Sequence, residues 1–91
     1  MSEKESISRI REEIDFMDDM IILLISKRQE LVSEVGTWKK EHKKKVSNPA
    51  REKTIMNHIL SLAPEANLDP AFLNQLYEVI FQHSRDLQKI V

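Results

Sequence analysis

Residues 6–42 read SISRIREEIDFMDDMIILLISKRQELVSEVGTWKKEH, and the spacing of their apolar side chains decides what fold this chain can make. Ile7, Ile10, Ile14, Met17, Ile21, Leu24, Arg28, Leu31, Val35 and Trp38 follow one another at alternating intervals of three and four residues. That repeat is the seam of a helix that lies along other helices as in a coiled coil. Every seam position is apolar or aromatic except Arg28. At about 1.5 Å per residue such a helix runs on the order of 50 Å, whereas a compact chain of this size has a radius of gyration of about 12 Å. The helix overshoots any globule its own chain could build around it, so a partner chain is expected along the seam.

Working outward, the rest of the chain punctuates itself into two further helices. Asn48 before Pro49 and Asp69 before Pro70 are start signals: a side-chain oxygen that can cap free backbone donors, followed by a residue suited to the first helical position. Pro64 is expected to stop the second helix after Leu62 and Ala63. The third helix carries Leu73, Leu76, Ile80 and Leu87 on one stripe and Tyr77, Phe81, Ser84, Gln88 and Val91 on an adjoining one. No strand pattern competes, and no internal repeat is present. The expected fold is all-α, with helices over about 6–42, 49–63 and 70–90, in a single domain over residues 1–91.

Composition narrows the function. The chain has 91 residues, of which 41% are hydrophobic and 32% charged, and a formal net charge of -1, which describes one soluble domain too short for two cores. Having no cysteine, it lacks disulfides, thiolate metal sites and a cysteine nucleophile. The apolar run Ile21 to Ile25 is far short of the ~20 residues of a membrane span, and the polar, acidic stretch Met1 to Glu5 is not expected to open a signal peptide. A cytoplasmic location is expected by default. Lys39, Lys40, Lys43, Lys44 and Lys45 form a local basic cluster, but interspersed charges of both signs elsewhere argue against nucleic acid as a partner. The cluster by itself describes a solvated helix end and loop.

Several polar residues fall where apolar ones belong. Burying Arg28 on the seam without a partner costs several kcal/mol, so an anion should meet it. An acidic side chain of a neighbouring helix or a bound ligand would serve. Lys39 lies eleven residues further on, which returns it to within about 20° of the direction of Arg28, so one pocket can hold both. Arg11 lies seventeen residues before Arg28, about 25 Å along a straight helix, and can join that pocket only from an antiparallel second chain. Taken singly, Arg11 and Lys39 are ordinary surface charges. Arg51 heads the apolar stripe Ile55, Ile59, Leu62 and begins on its buried face, where the plain explanation is an arginine snorkeling at a helix end. Ser84 and Gln88, one turn apart inside an apolar stripe, need either core hydrogen bonds or a ligand. With Glu52 as one carboxylate, the inward-facing set is mainly cationic or neutral, which suits a small dianion.

The chemistry that is missing points the same way. There is no Ser/His/Asp triad, no Gly-rich phosphate loop and no His-Glu-x-x-His pair, and His42, His58 and His83 lack metal-ligand spacing. Neither a metal nor a cofactor is expected. A reaction run by these residues relies on positioning and electrostatics rather than on a nucleophile or a proton shuttle.

The stretch Ile10-Arg11-Glu12-Glu13-Ile14-Asp15 with Asp18, Leu24, Arg28, Leu31, Val35 and Lys39 resembles the first helix of the all-helical (type II) chorismate mutases. Asn48-Pro49-Ala50-Arg51-Glu52, and Ser84 with Gln88, resemble that family's second and third helix motifs. The resemblance implies an intertwined homodimer with two equivalent sites, each completed by Arg11 of the other chain. It implies that Arg28 and the partner subunit's Arg11 bind the substrate carboxylates, with Ser84 assisting and Arg51 supporting. It implies further that Lys39 and Gln88 face the ether oxygen, and that Glu52 meets the ring hydroxyl together with backbone near Asn48. The implied reaction is the rearrangement of chorismate to prephenate, a step of phenylalanine and tyrosine biosynthesis.

The chain departs from many relatives at Asn48, where they carry aspartate; asparagine keeps the capping oxygen and loses a charge beside the ring substituent. Sister activities on this scaffold, rearrangement of 4-amino-4-deoxychorismate or loss of pyruvate from isochorismate, are therefore alternatives, against which Glu52 and Gln88 favour the ordinary mutase. A non-catalytic helical dimerisation or regulatory module would explain the seam equally well. It would not explain Arg28 on that seam or Ser84 and Gln88 on an interior stripe.

Overall fold

The computed structural model describes residues 2–91 and contains three helices in chain order: α1 (Glu3–Glu41), α2 (Pro49–Ala66) and α3 (Pro70–Lys89). Among the described residues there is no strand, and no helix is long and apolar enough to cross a membrane. Met1, included in the single domain expected over 1–91, lies outside the described residues. The chain divides into two compact units, the first ending at Leu31 and the second running from Val32 to Val91.

The first unit is one helical segment. It begins three residues before the expected start, because Ser2 and Glu5 form a capping box: the Glu5 backbone N–H donates to the Ser2 hydroxyl and the Ser2 N–H to the Glu5 carboxylate, both at 3.2 Å. The pattern Ser-x-x-Glu is present in the sequence, but the apolar period that located the helix begins only at Ile7. Ile7, Ile10, Ile14, Met17, Ile21 and Leu24 are all exposed, Leu24 at 71%. A helix with that stripe uncovered is unstable alone in water, since helices draw most of their stability from packing an apolar face.

The second unit holds the end of α1 together with α2 and α3, and α2 packs against α3. Its buried residues include Ala63, Leu73 and Phe81. The starts of α2 and α3 are as the sequence suggests: Asn48 accepts from the Arg51 N–H at 3.1 Å, Asp69 accepts from the Ala71 N–H at 2.9 Å, and a proline occupies the first turn of each helix. The end of α2 is not. The helix continues through Pro64 to Ala66 and stops at Asn67, whose φ of 55° is left-handed. A proline lacks its own donor and crowds the carbonyl four residues back, but its fixed φ is a helical one, so close to a helix end the turn can continue past it. The stop is made instead by the N–H of Leu68 returning to the Ala63 carbonyl at 3.0 Å and that of Asn67 to Pro64 at 3.2 Å, with asparagine tolerating the left-handed turn. The end of α1 closes in the same way: Lys43 has a φ of 55° and the Lys44 N–H bonds the Lys39 carbonyl at 2.8 Å. That closure turns the chain sharply just beyond the Lys39 side chain.

Candidate active site

In the second unit α1 and α3 approach one another at Gly36, which is buried. A Cβ at this position would lie 2.6 Å from Val91 Cγ2, 3.0 Å from Gln88 Cα and 3.1 Å from Gln88 Cγ. The absence of a side chain is therefore what lets the Gln88 backbone come this close. Three residues along α1 the consequence is a bond 49 residues apart in sequence: Lys39 Nζ donates to Gln88 Oε1 at 2.6 Å. The same ammonium donates to the Val46 carbonyl at 2.7 Å, in the loop before α2. Gln88 Nε2 donates to the Ser84 carbonyl at 3.1 Å, one turn back on α3. The amide is thus fixed at both ends, with its oxygen toward the cation.

Lys39, Ser84 and Gln88 are all half-buried, an environment in which charge-assisted bonds are stronger than on the open surface. An ammonium has three hydrogens, and the bonds to Val46 and Gln88 use two of them. The third can be offered to an acceptor on another molecule. The Ser84 hydroxyl donates to the Ile80 carbonyl at 2.8 Å, which ties it to its own helix in this state.

Glu52, in the first turn of α2, is held by a residue the sequence reading did not single out. Arg85 Nη1 donates to both Glu52 oxygens, at 2.7 and 2.6 Å, and Arg85 Nη2 donates to Gln82 Oε1 at 3.0 Å. Arg85 follows Ser84 directly in sequence, and its helical position gave no sign that α2 would bring a carboxylate to it. Arg51 corrects an expectation: placed on the buried face by the pattern, it is exposed. It sits in the first turn of α2, where a long side chain can keep its charge in water. Asn48 is also exposed, its side-chain oxygen engaged in the cap.

The two remaining cations belong to the first unit. Arg28 is half-buried and has an interaction partner. Arg11 is exposed, in a shallow depression along α1 that it shares with Glu3, Ile7, Glu12 and Asp15. Within the second unit, then, the structure brings Lys39, Ser84 and Gln88 into one hydrogen-bonded cluster and adds the Glu52–Arg85 pair.

Gly36→Ala tests how far the cluster depends on the close approach. Alanine gains up to about 1 kcal/mol over glycine in a helix interior, but overpacking costs about 1–3 kcal/mol, and here the contact at 3.0 Å is with backbone. The clash is expected to win. The melting temperature should fall by several degrees, and turnover by about tenfold as Gln88 is pushed off Lys39; a more stable, fully active variant would show that the approach is not needed.

Comparison with known proteins is consistent across nearly the whole chain. A family model described as chorismate mutase type II matches residues 10–89. The chorismate mutase of Methanocaldococcus jannaschii is 32% identical over 85 residues, covering 93% of this chain and 86% of that protein. A 4-amino-4-deoxychorismate mutase of Streptomyces venezuelae is 25% identical over 91 residues, 100% of this chain and 88% of that protein. The bifunctional chorismate mutase/prephenate dehydratase of Escherichia coli (strain K12) is 26% identical over 84 residues, which are 92% of this chain but only 22% of that larger protein. With a family model spanning most of its length and a relative of similar size at this identity, the chain belongs to the chorismate mutase type II family.

Proposed function

We propose that this chain rearranges chorismate to prephenate, and that the bonded pair Lys39 and Gln88 is the part of the site that acts on the breaking bond. The 2.6 Å contact between them carries the reading, because it fixes two nitrogen donors beside one another at a half-buried position. In the rearrangement the ether carbon-oxygen bond breaks as a carbon-carbon bond forms within one molecule; no atom leaves and no proton is required. What the protein can supply is orientation of the enolpyruvyl arm over the ring and stabilisation of the negative charge growing on the ether oxygen. The free N–H of Lys39 and the second N–H of the Gln88 amide suit that oxygen.

The substrate carries two carboxylates, for which Arg28 and the partner subunit's Arg11 are the proposed ligands, with Ser84 assisting and Arg51 supporting the network. Glu52, with backbone near Asn48, is assigned to the ring hydroxyl. The working form is a homodimer in which the uncovered stripe of α1 is buried against the second chain, and the proposed setting is aromatic amino acid biosynthesis in the cytoplasm. The uncovered apolar residues on α1 support the dimer, and the distance along the helix between Arg11 and Arg28 supports a contribution in trans.

A second reading has an observation behind it. The full-length similarity to a 4-amino-4-deoxychorismate mutase makes the amino analogue an alternative substrate. Purified protein mixed with chorismate is expected to abolish the ultraviolet absorbance of chorismate and yield prephenate. Turnover of the amino analogue alone would select the second reading, salicylate with pyruvate would indicate the elimination, and no loss of either compound would leave a non-catalytic helical module.

A further inference from the structure

We infer that Arg85 determines specificity: by pairing with both oxygens of Glu52 it makes the site prefer a neutral hydroxyl to a cationic amine on the substrate ring. The inference rests on the reading above that Glu52 faces the ring substituent.

The pair is built rather than incidental. Its members stand 33 residues apart, one on α2 and one on α3, and each side chain is only 26% exposed. One guanidinium nitrogen spans both carboxylate oxygens, and the other is anchored by Gln82, so the arginine is held from two directions. Gln82 is in turn held by its own amide, which donates to Asp86 at 3.1 Å. Exposed ion pairs on a single helix, such as Arg9 with Glu13, gain little because water and salt screen them; partial burial screens less.

Two consequences follow for a ligand. Each carboxylate oxygen has about two lone-pair positions, so after accepting from Arg85 Glu52 can still accept from a hydroxyl. The charge of the carboxylate, however, is compensated by the guanidinium beside it. A hydroxyl donor feels little of this. An ammonium group brought to Glu52 arrives next to a second cation, with no uncompensated anion among the residues assigned to the ring substituent, because Asn48 is neutral. In a site of reduced dielectric, repulsion over such a short distance changes a rate by about tenfold or more.

The test compares kcat/KM for chorismate and for 4-amino-4-deoxychorismate in the wild-type protein and in Arg85→Lys, Arg85→Gln and Arg85→Met, each checked for helicity and melting temperature. Wild type and Arg85→Lys are expected to share a preference for the hydroxyl substrate. Arg85→Gln and Arg85→Met, which differ in polarity but both lack charge, are expected to shift the ratio toward the amino substrate by at least about tenfold. A merely structural role would lower both substrates together and leave the ratio where it was, which overturns the inference. So does a ratio that separates Gln from Met or moves equally in Lys. If the wild-type protein turns over neither compound, the functional reading fails first and takes the inference with it.

Discussion

Lys39→Ala is expected to lower kcat by about 10²–10³ with the helical circular dichroism spectrum retained. The size follows from what a preorganised donor does: it meets charge that exists only in the transition state, in surroundings already arranged for it, so its loss costs about 3–4 kcal/mol of barrier. The ammonium is held by the Val46 carbonyl and Gln88 Oε1, so it need not be ordered at the moment of reaction. Its removal leaves those two acceptors in half-buried surroundings that water can reach, at a folding cost of about 1 kcal/mol, small beside the catalytic loss. Lys39→Gln separates the contributions. It can keep a hydrogen bond and lacks the charge, and should recover only a small part of the activity. Arg28→Ala should lose at least about a hundredfold in turnover through the substrate carboxylate it is proposed to hold. Near-normal rates in Lys39→Ala would remove the electrostatic mechanism.

Mixing two inactive variants should restore activity. If each site takes Lys39 from one chain and Arg11 from the other, a dimer of Arg11→Ala with Lys39→Ala contains one doubly altered site and one intact site. Refolding the two variants together at equal concentration makes about half the dimers mixed, so about one quarter of wild-type activity should return, although each variant alone is down at least about a hundredfold. The dimer itself is expected from the stripe on α1: side chains such as Ile14, Met17, Ile21 and Leu24 stay exposed in the isolated chain, and burying them gains roughly 1 kcal/mol or more apiece. Mixed dimers identified by differential tagging and mass spectrometry, yet without activity, would show that Arg11 does not act across the interface. A monomer that remains fully active at low concentration would overturn the shared site altogether.

The parts of this protein that were legible in sequence are those written within a turn or two of the residues concerned. The three-and-four spacing from Ile7 to Trp38 marks α1, and Asn48-Pro49 and Asp69-Pro70 mark the starts of α2 and α3, because caps and apolar periods are local. Even local signals compete: Pro64 looked like the stop of α2, and Asn67 makes it, since a missing donor ends a helix less effectively than a left-handed turn. Ser84 and Gln88 were identifiable as polar residues on an apolar stripe, and Lys39 only by its place on the same helix face as Arg28.

Which polar groups meet was another matter. The contact between Lys39 and Gln88 requires two helices to touch at Gly36, and nothing in the period of either helix gives the distance between them. The pairing of Glu52 with Arg85 depends on the rotation of α2 against α3, so Arg85 looked like any other charge on a solvated face. The three helices and the caps at Asn48 and Asp69 are written locally in the chain, as is the polar set for which a dianionic ligand is proposed. Only tertiary packing decided the partners, because hydrogen bonds and ion pairs act over a few ångströms between groups whose separation along the chain carries no record of their separation in space.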